Sequence, residues 1–146
     1  MSEPIGVLVM AHGTPRTAED IEPFYTRIRR GRPPSPEQLD DLKRRYGAIG
    51  GLSPLTERTM AQVEAVRAAL ERRSPGHFVV AYGAKHSDPL IEDAVASLCA
   101  SGVRTIIGLV LTPHGSKRIE WISSEPTQYS VASSRQLADN RYLAAT

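Results

Sequence analysis

The sequence predicts an α/β fold, a three-layer sandwich around a parallel sheet. Three observations lead there. First, "IGVLVM", "HFVVAYG" and "RTIIGLVL" are short continuous apolar runs, the pattern of strands covered on both faces. Second, the segments between them repeat apolar residues at helical spacing. Third, the apolar runs and the helical segments alternate along the chain. Strands that alternate with helices pair in parallel through right-handed crossovers. The strands are expected at residues 5–10, 78–83 and 105–111.

The first helix follows the first strand. Thr17 is a candidate N-cap with acids in the next turn, and Ile21, Phe24, Tyr25 and Ile28 mark one buried face. "GRPPSP" then breaks the chain. Ser35, with Pro36 at the first helical position and Gln38 three residues on, makes a capping-box start. Leu39, Leu42, Tyr46 and Ile49 give that helix its stripe, and Gly50 and Gly51 end it. A longer helix is expected from Thr56 to Arg72, with Met60, Val63, either Val66 or Arg67, and Leu70 on one side. Asp88 and Pro89 open a helix that turns Ile91, Ala94, Val95 and Leu98 inward and closes at Gly102. Cys99 lies on this helix and reads as a buried, inert thiol. Beyond Pro113 the periodicity fails. This divides the chain into an α/β domain over 1–114 and a divergent, poorly ordered tail over 115–146, or an element without its natural neighbours there.

Length and composition set limits. A chain of 146 residues with 40% apolar content suits one domain with a filled core. A net charge of +2 gives no argument for a nucleic-acid partner. The charge is local instead: seven basic and three acidic residues lie between Arg27 and Arg45. One cysteine excludes an internal disulfide and suits a reducing compartment. No signal sequence and no membrane-length apolar run is present, so a soluble cytoplasmic protein is expected.

Open parallel sheets bind ligands outside the carboxyl ends of their strands. His12, Lys85 with His86, and His114 are all placed there, whereas His77 begins a strand. Imidazole is a ligand for borderline metals and titrates near neutrality. A histidine at a strand end is also often only a satisfied polar terminus, and no tight spacing of the HxxxH kind occurs. In "YTRIRRGRPP", Arg29, Arg30 and Arg32 crowd a helix end. They either complement its dipole or form a bidentate grip on a carboxylate ligand. In "RYGAIGGLSPL", a turn could bring backbone and the Ser53 hydroxyl to a ligand, or simply stop a helix.

Together "VLVMAHGTP", "YTRIRRGRPPSPEQLDDLKRRYGAIGGLSPL", "GAKHSDPLIEDAV" and "VLTPH" resemble the N-terminal half of ferrochelatase, in the coproporphyrin type of Gram-positive bacteria. The resemblance runs in register from residue 5 to 114. It implies insertion of ferrous iron, as substrate rather than as a tightly bound cofactor, into a porphyrin such as coproporphyrin III. In this family the macrocycle sits in a cleft between two similar α/β halves. The resemblance makes Arg29 a propionate contact, Arg45, Tyr46 and Ser53 further porphyrin contacts, and Lys85 and His86 part of the cleft wall. It puts His12 where the family usually has a tyrosine that serves as axial ligand to the product iron, so His12 becomes the candidate catalytic and metal-facing residue. After "LTPH" the family pattern "SxxSVxxY" is not matched, and Ser134 stands nearest the expected tyrosine. The family's metal-delivering histidine and its glutamate belong to the other half. The expectation is therefore an N-terminal half with an incomplete catalytic set. The alternatives are a small homodimeric cobalt or nickel chelatase carrying "AHG", or a non-catalytic porphyrin-binding module.

Overall fold

The computed structural model describes residues 3–111 and the backbone of 128–133. His114 and Ser134 lie outside the described residues. The expected strands are all present: β1 over Ile5–Ala11, β2 over Phe78–Ala84 and β3 over Thr105–Val110. They pair in parallel, with Ile5 opposite both Phe78 and Thr105. A further strand, β4 over Gln128–Ser133, joins β3 in parallel, and among the described residues the sheet has four strands in the order β2-β1-β3-β4. It falls within the stretch where the sequence shows no firm periodicity. "QYSVAS" carries neither an apolar run nor strict alternation, so its strand character comes from pairing with β3 rather than from local pattern.

Helices cover both faces, which makes the three layers. Along β1 the side chains alternate. Leu8 and Met10 pack with Ala94, Leu98, Val103, Ile106 and Val110 on one face, beneath the helix α4 over Ile91–Ala100. Val7 and Val9 pack with Val63, Tyr82, Ala84 and Leu109 on the other, beneath the helix α3 over Leu55–Arg73. β1 is central, so neither of its faces meets solvent, and its run is apolar throughout. At Gly83 the backbone of α4 comes so close that a Cβ would stand 2.8 Å from the Ile91 Cα. Only glycine lets α4 sit this near β2.

Two helices lie outside this core. A 3-10 turn over Ala18–Asp20 leads into α1, Ile21–Ile28, and α2 spans Pro36–Ala48. The Asp20 carboxylate accepts from the Thr17 and Arg16 N–H groups at 3.0 and 3.2 Å. At α2 the capping box forms as expected: Gln38 N–H donates to Ser35 Oγ at 3.3 Å, and Ser35 N–H donates to Gln38 Oε1 at 3.1 Å.

Four details correct the sequence reading. The stripe on α2 is not a core stripe: no residue of α2 is buried, and Ile49 is 67% exposed. Ile28 likewise reaches the surface, although Ile21 and Phe24 are buried. Both helices are amphipathic, but among the described residues the second lies chiefly against α1 rather than against the sheet. Helix α4 begins at Ile91, with Leu90 as N-cap, rather than at Asp88 and Pro89. Cys99 is exposed, because Ala94 and Leu98 define the inward side of α4 and Cys99 falls about 100° round from Leu98. On α3 the ambiguity resolves to Val66, which is half-buried, while Arg67 points out to pair with Glu64 and to the Val80 carbonyl at 3.2 Å.

Candidate functional site

Strand order reverses beside β1. The chain leaves β1 for β2 on one side and leaves β3 for β4 on the other, so the carboxyl ends of β1 and β3 form the switch point at which open α/β sheets bind ligands. His12 is the first residue beyond β1, at that switch point. The next residue explains the "HG" pair. Gly13 has φ +88°, and a Cβ there would collide with the buried Ser87 hydroxyl and the Ala84 side chain. Glycine lets the chain turn sharply after His12 while the loop after β2 closes against it.

That loop brings His86 to His12. Lys85 N–H donates to the Ala11 carbonyl at 3.0 Å and His86 N–H to the His12 carbonyl at 3.2 Å, which continues the β1–β2 ladder past the strand ends. The two imidazole rings stand 4.7 Å apart, centre to centre, at 69°. Phe24 of α1 closes the group, its ring 6.2 Å from each imidazole and edge-on to both. Burial, then the Lys85 ammonium, pulls the His12 imidazole below its usual pKa. Burial, then His12, Lys85 and Arg27, does the same for His86. Both rings are therefore neutral at physiological pH and keep a lone pair free for a proton or a metal ion.

Arg27 is a member of this cluster that sequence reasoning passed over. It donates to the His86 carbonyl at 3.4 Å and pairs with Asp88 at 3.5 Å, so it ties α1 to the loop after β2. The signal was the "RIRRGR" run itself, in which Arg29, Arg30 and Arg32 drew the attention. Beside His86 a cleft of about 600 Å³ opens between α1 and the loop before α4, lined by Arg16, Asp20, Phe24, Arg27, His86 and Asp88 among others.

The expected porphyrin contacts lie along α1, α2 and the turn after them. Arg29 caps the end of α1 and is exposed, with Nη1 donating to Gln38 Oε1 at 2.7 Å. Arg30 takes the left-handed conformation, φ 56°, as the chain leaves the helix. Arg45 is exposed and pairs with Asp41 at 2.6 Å. Tyr46 is half-buried against Tyr25. Burial, then the hydrogen bond with Tyr25, pushes its phenol up to about 12. The Ser53 hydroxyl accepts from Leu55 N–H at 3.3 Å and so also serves the start of α3. Rings connect the two groups: Phe24 touches His12 and His86 on one side and Tyr25 on the other, at 5.4 Å, and Tyr25 meets Tyr46. Lys85 is exposed, directly beyond the end of β2.

A parallel α/β sandwich with neutral imidazoles at its switch point, bordered by exposed arginines, belongs to the class of α/β domains that bind ligands at the sheet's carboxyl edge. Comparison with known sequences narrows the class. The ferrochelatase family model matches residues 4–119, and the chain belongs to the ferrochelatase family. It is 51% identical over 113 residues to the coproporphyrin III ferrochelatase of Oceanobacillus iheyensis, covering 77% of this chain and 36% of that protein. It is 53% identical over 113 residues to that of Halalkalibacterium halodurans, with the same coverage. It is 50% identical over 117 residues to that of Bacillus mycoides, covering 80% and 38%. The chain thus spans 36–38% of the length of these curated relatives. Among the described residues no helix is long and apolar enough to cross a membrane.

Proposed function

We propose that this chain supplies the porphyrin-holding wall of a coproporphyrin III ferrochelatase, which exchanges two pyrrole protons of the macrocycle for a ferrous ion in heme biosynthesis. The observation that carries the reading is the position of His12. It stands at the switch point of the sheet, with its imidazole neutral and backed by His86 and Phe24. A side chain so placed faces the centre of a planar ligand lying at the switch point, where the reacting nitrogens would be.

The chemistry demands three things: a grip on the macrocycle, acceptance of two protons and delivery of a dehydrated metal ion. Arg29 and Arg45 provide cationic forks for propionates. Tyr46, Ser53, Lys85 and His86 line the approach. The Tyr46 phenol is neutral at physiological pH, like any tyrosine, and its raised pKa extends that neutrality beyond pH 10, so it acts as a hydrogen-bond partner rather than a charge. His12 takes the metal-facing place as a neutral base. Iron enters as substrate and leaves in the product, with no tightly bound cofactor. One cysteine and a need for ferrous iron suit the reducing cytoplasm.

The test is a fluorescence titration of the purified chain with coproporphyrin III and with protoporphyrin IX. Saturable quenching, tighter for the tetracarboxylate, is the expected result. Absence of saturable binding to either porphyrin would remove the reading.

A further inference from the structure

We propose that His12 and His86 together form a two-imidazole landing site for a divalent first-row transition metal ion, one that fills without porphyrin. This extends the reading above from the macrocycle to the metal substrate. The argument is geometric. A metal–imidazole bond of about 2.0–2.1 Å places the ion about 3.2 Å from the ring centre, so two imidazoles bound cis to one ion have centres about 4.5–5.2 Å apart. The His12 and His86 rings stand 4.7 Å apart. They lie at 69° to each other, and because χ2 of histidine is a soft two-fold torsion the ring planes can turn while the ring centres keep this spacing.

The surroundings hold the pair at this spacing. The backbones are joined by the His86 N–H to His12 carbonyl hydrogen bond at 3.2 Å, and one step earlier by Lys85 N–H to the Ala11 carbonyl at 3.0 Å. Phe24 stands 6.2 Å from both rings and blocks one side. Ser87, directly after His86, is buried against Gly13, which fixes the loop from below.

The same surroundings keep the site weak. Among the described residues no group of three or more His, Cys, Asp or Glu side chains converges on a metal position, so the other coordination places fall to water. Lys85 bears a positive charge nearby, and so does Arg27, which is paired with Asp88. Two neutral nitrogen ligands and an adverse field give an ion that exchanges readily, as a metal to be handed on requires. A tyrosine at position 12 would offer one phenolate oxygen in place of the second imidazole, so the pair is specific to a chain with histidine there.

Metal alone is the probe, and failure here leaves porphyrin binding as a separate question. The 146-residue chain is titrated with Co²⁺ at pH 7.5 and followed by its visible d–d absorption, with His12→Ala, His86→Ala and His77→Ala alongside. Saturable binding of one ion is expected. Each of the first two variants should weaken it about tenfold or more, and His77→Ala should retain the parent's affinity. Thermal melts in the absence of metal check folding. Should an alanine variant fail to fold, His12→Asn and His86→Asn keep a polar side chain of similar size and should show the same loss. No saturable Co²⁺ absorption in the parent, unchanged affinity in a folded variant of His12 or His86, or an equal loss in His77→Ala would overturn the assignment.

Discussion

Arg29 leaves the last turn of α1 with its guanidinium on a neutral acceptor, Gln38 Oε1. Binding a propionate there replaces a neutral partner by a charged one. An arginine–carboxylate contact in a partly shielded site is worth about 1.5–3 kcal/mol. Arg29→Ala should therefore weaken coproporphyrin binding about tenfold or more in a fluorescence titration, and equal affinity would refute the role. Tyr46 makes a different prediction. The unfolded chain releases a phenol proton near pH 10, whereas the folded chain holds this one to about 12. Between those values the unfolded state binds fewer protons, so stability falls as pH rises. Urea denaturation should show a shallower decline from pH 10 to 11 in Tyr46→Phe than in the parent. Gly13→Ala combines a left-handed φ with a collision at Ser87 and should cost about 2–5 kcal/mol by the same measurement. The role of Gly13 was half legible. "HG" after an apolar run announces a turn, but Ser87 lies 74 positions away and nothing local foretells the contact. The His12–His86 pairing was hidden for the same reason: both were placed at one sheet edge, and only the register of β1 with β2 makes them neighbours.

At the level of elements, β1, β2 and β3 were readable because they are covered on both faces over much of their length, β1 almost throughout, β2 towards Ala84 and β3 towards Val110. A strand covered on both faces reads as a nearly continuous apolar run, and each of the three has such a stretch at its centre. Caps were readable because they are local chemistry, as Ser35 with Gln38 shows. Burial of α2 was not, since an amphipathic stripe says that a face exists without saying what covers it. Here the stripe is half-covered by α1 and otherwise open, with Ile49 exposed. β4 was missed because its pairing comes from β3 and not from its own composition. Exposure has a dynamic consequence. A helix with no buried residue opens at low free-energy cost, so amide exchange in α2 should be faster than in β1, α3 or α4. Hydrogen-exchange mass spectrometry checks this, and equal protection across all four would show that α2 shares the global unfolding event. Ser35→Ala should loosen α2 further, by about 1 kcal/mol, through loss of the cap. As α2 carries Arg45, Tyr46 and the Gln38 that steadies Arg29, this variant should also weaken porphyrin binding while sparing the melting of the core.

At the level of the whole molecule, the proposed function has the fold present one edge and one set of groups to a ligand that has two faces. Holding a macrocycle against that edge would take arginine forks, aromatic rings and an imidazole, and residues of these kinds lie between His12 and His86. Inserting iron demands more. Two protons must leave, the ion must shed its water, and the ring must be distorted from both sides. The curated relatives carry close to two thirds of their length outside the match. The family resemblance assigns the metal-delivering histidine and its glutamate to that portion. Loss of a positioned general base alone costs about 10²–10⁴-fold in rate, and loss of a closed cleft removes orientation as well. Assayed side by side with the Bacillus mycoides coproporphyrin III ferrochelatase, the 146-residue chain should therefore bind coproporphyrin and insert ferrous iron at least about 10²-fold more slowly. The comparison also sorts the ways this could be wrong. Fast insertion that rises with the square of protein concentration and is abolished by His12→Ala would mean that a second copy supplies the opposing wall, as in a homodimeric chelatase. Fast insertion linear in concentration would mean that one sheet edge, with two neutral imidazoles, suffices for both metal and protons.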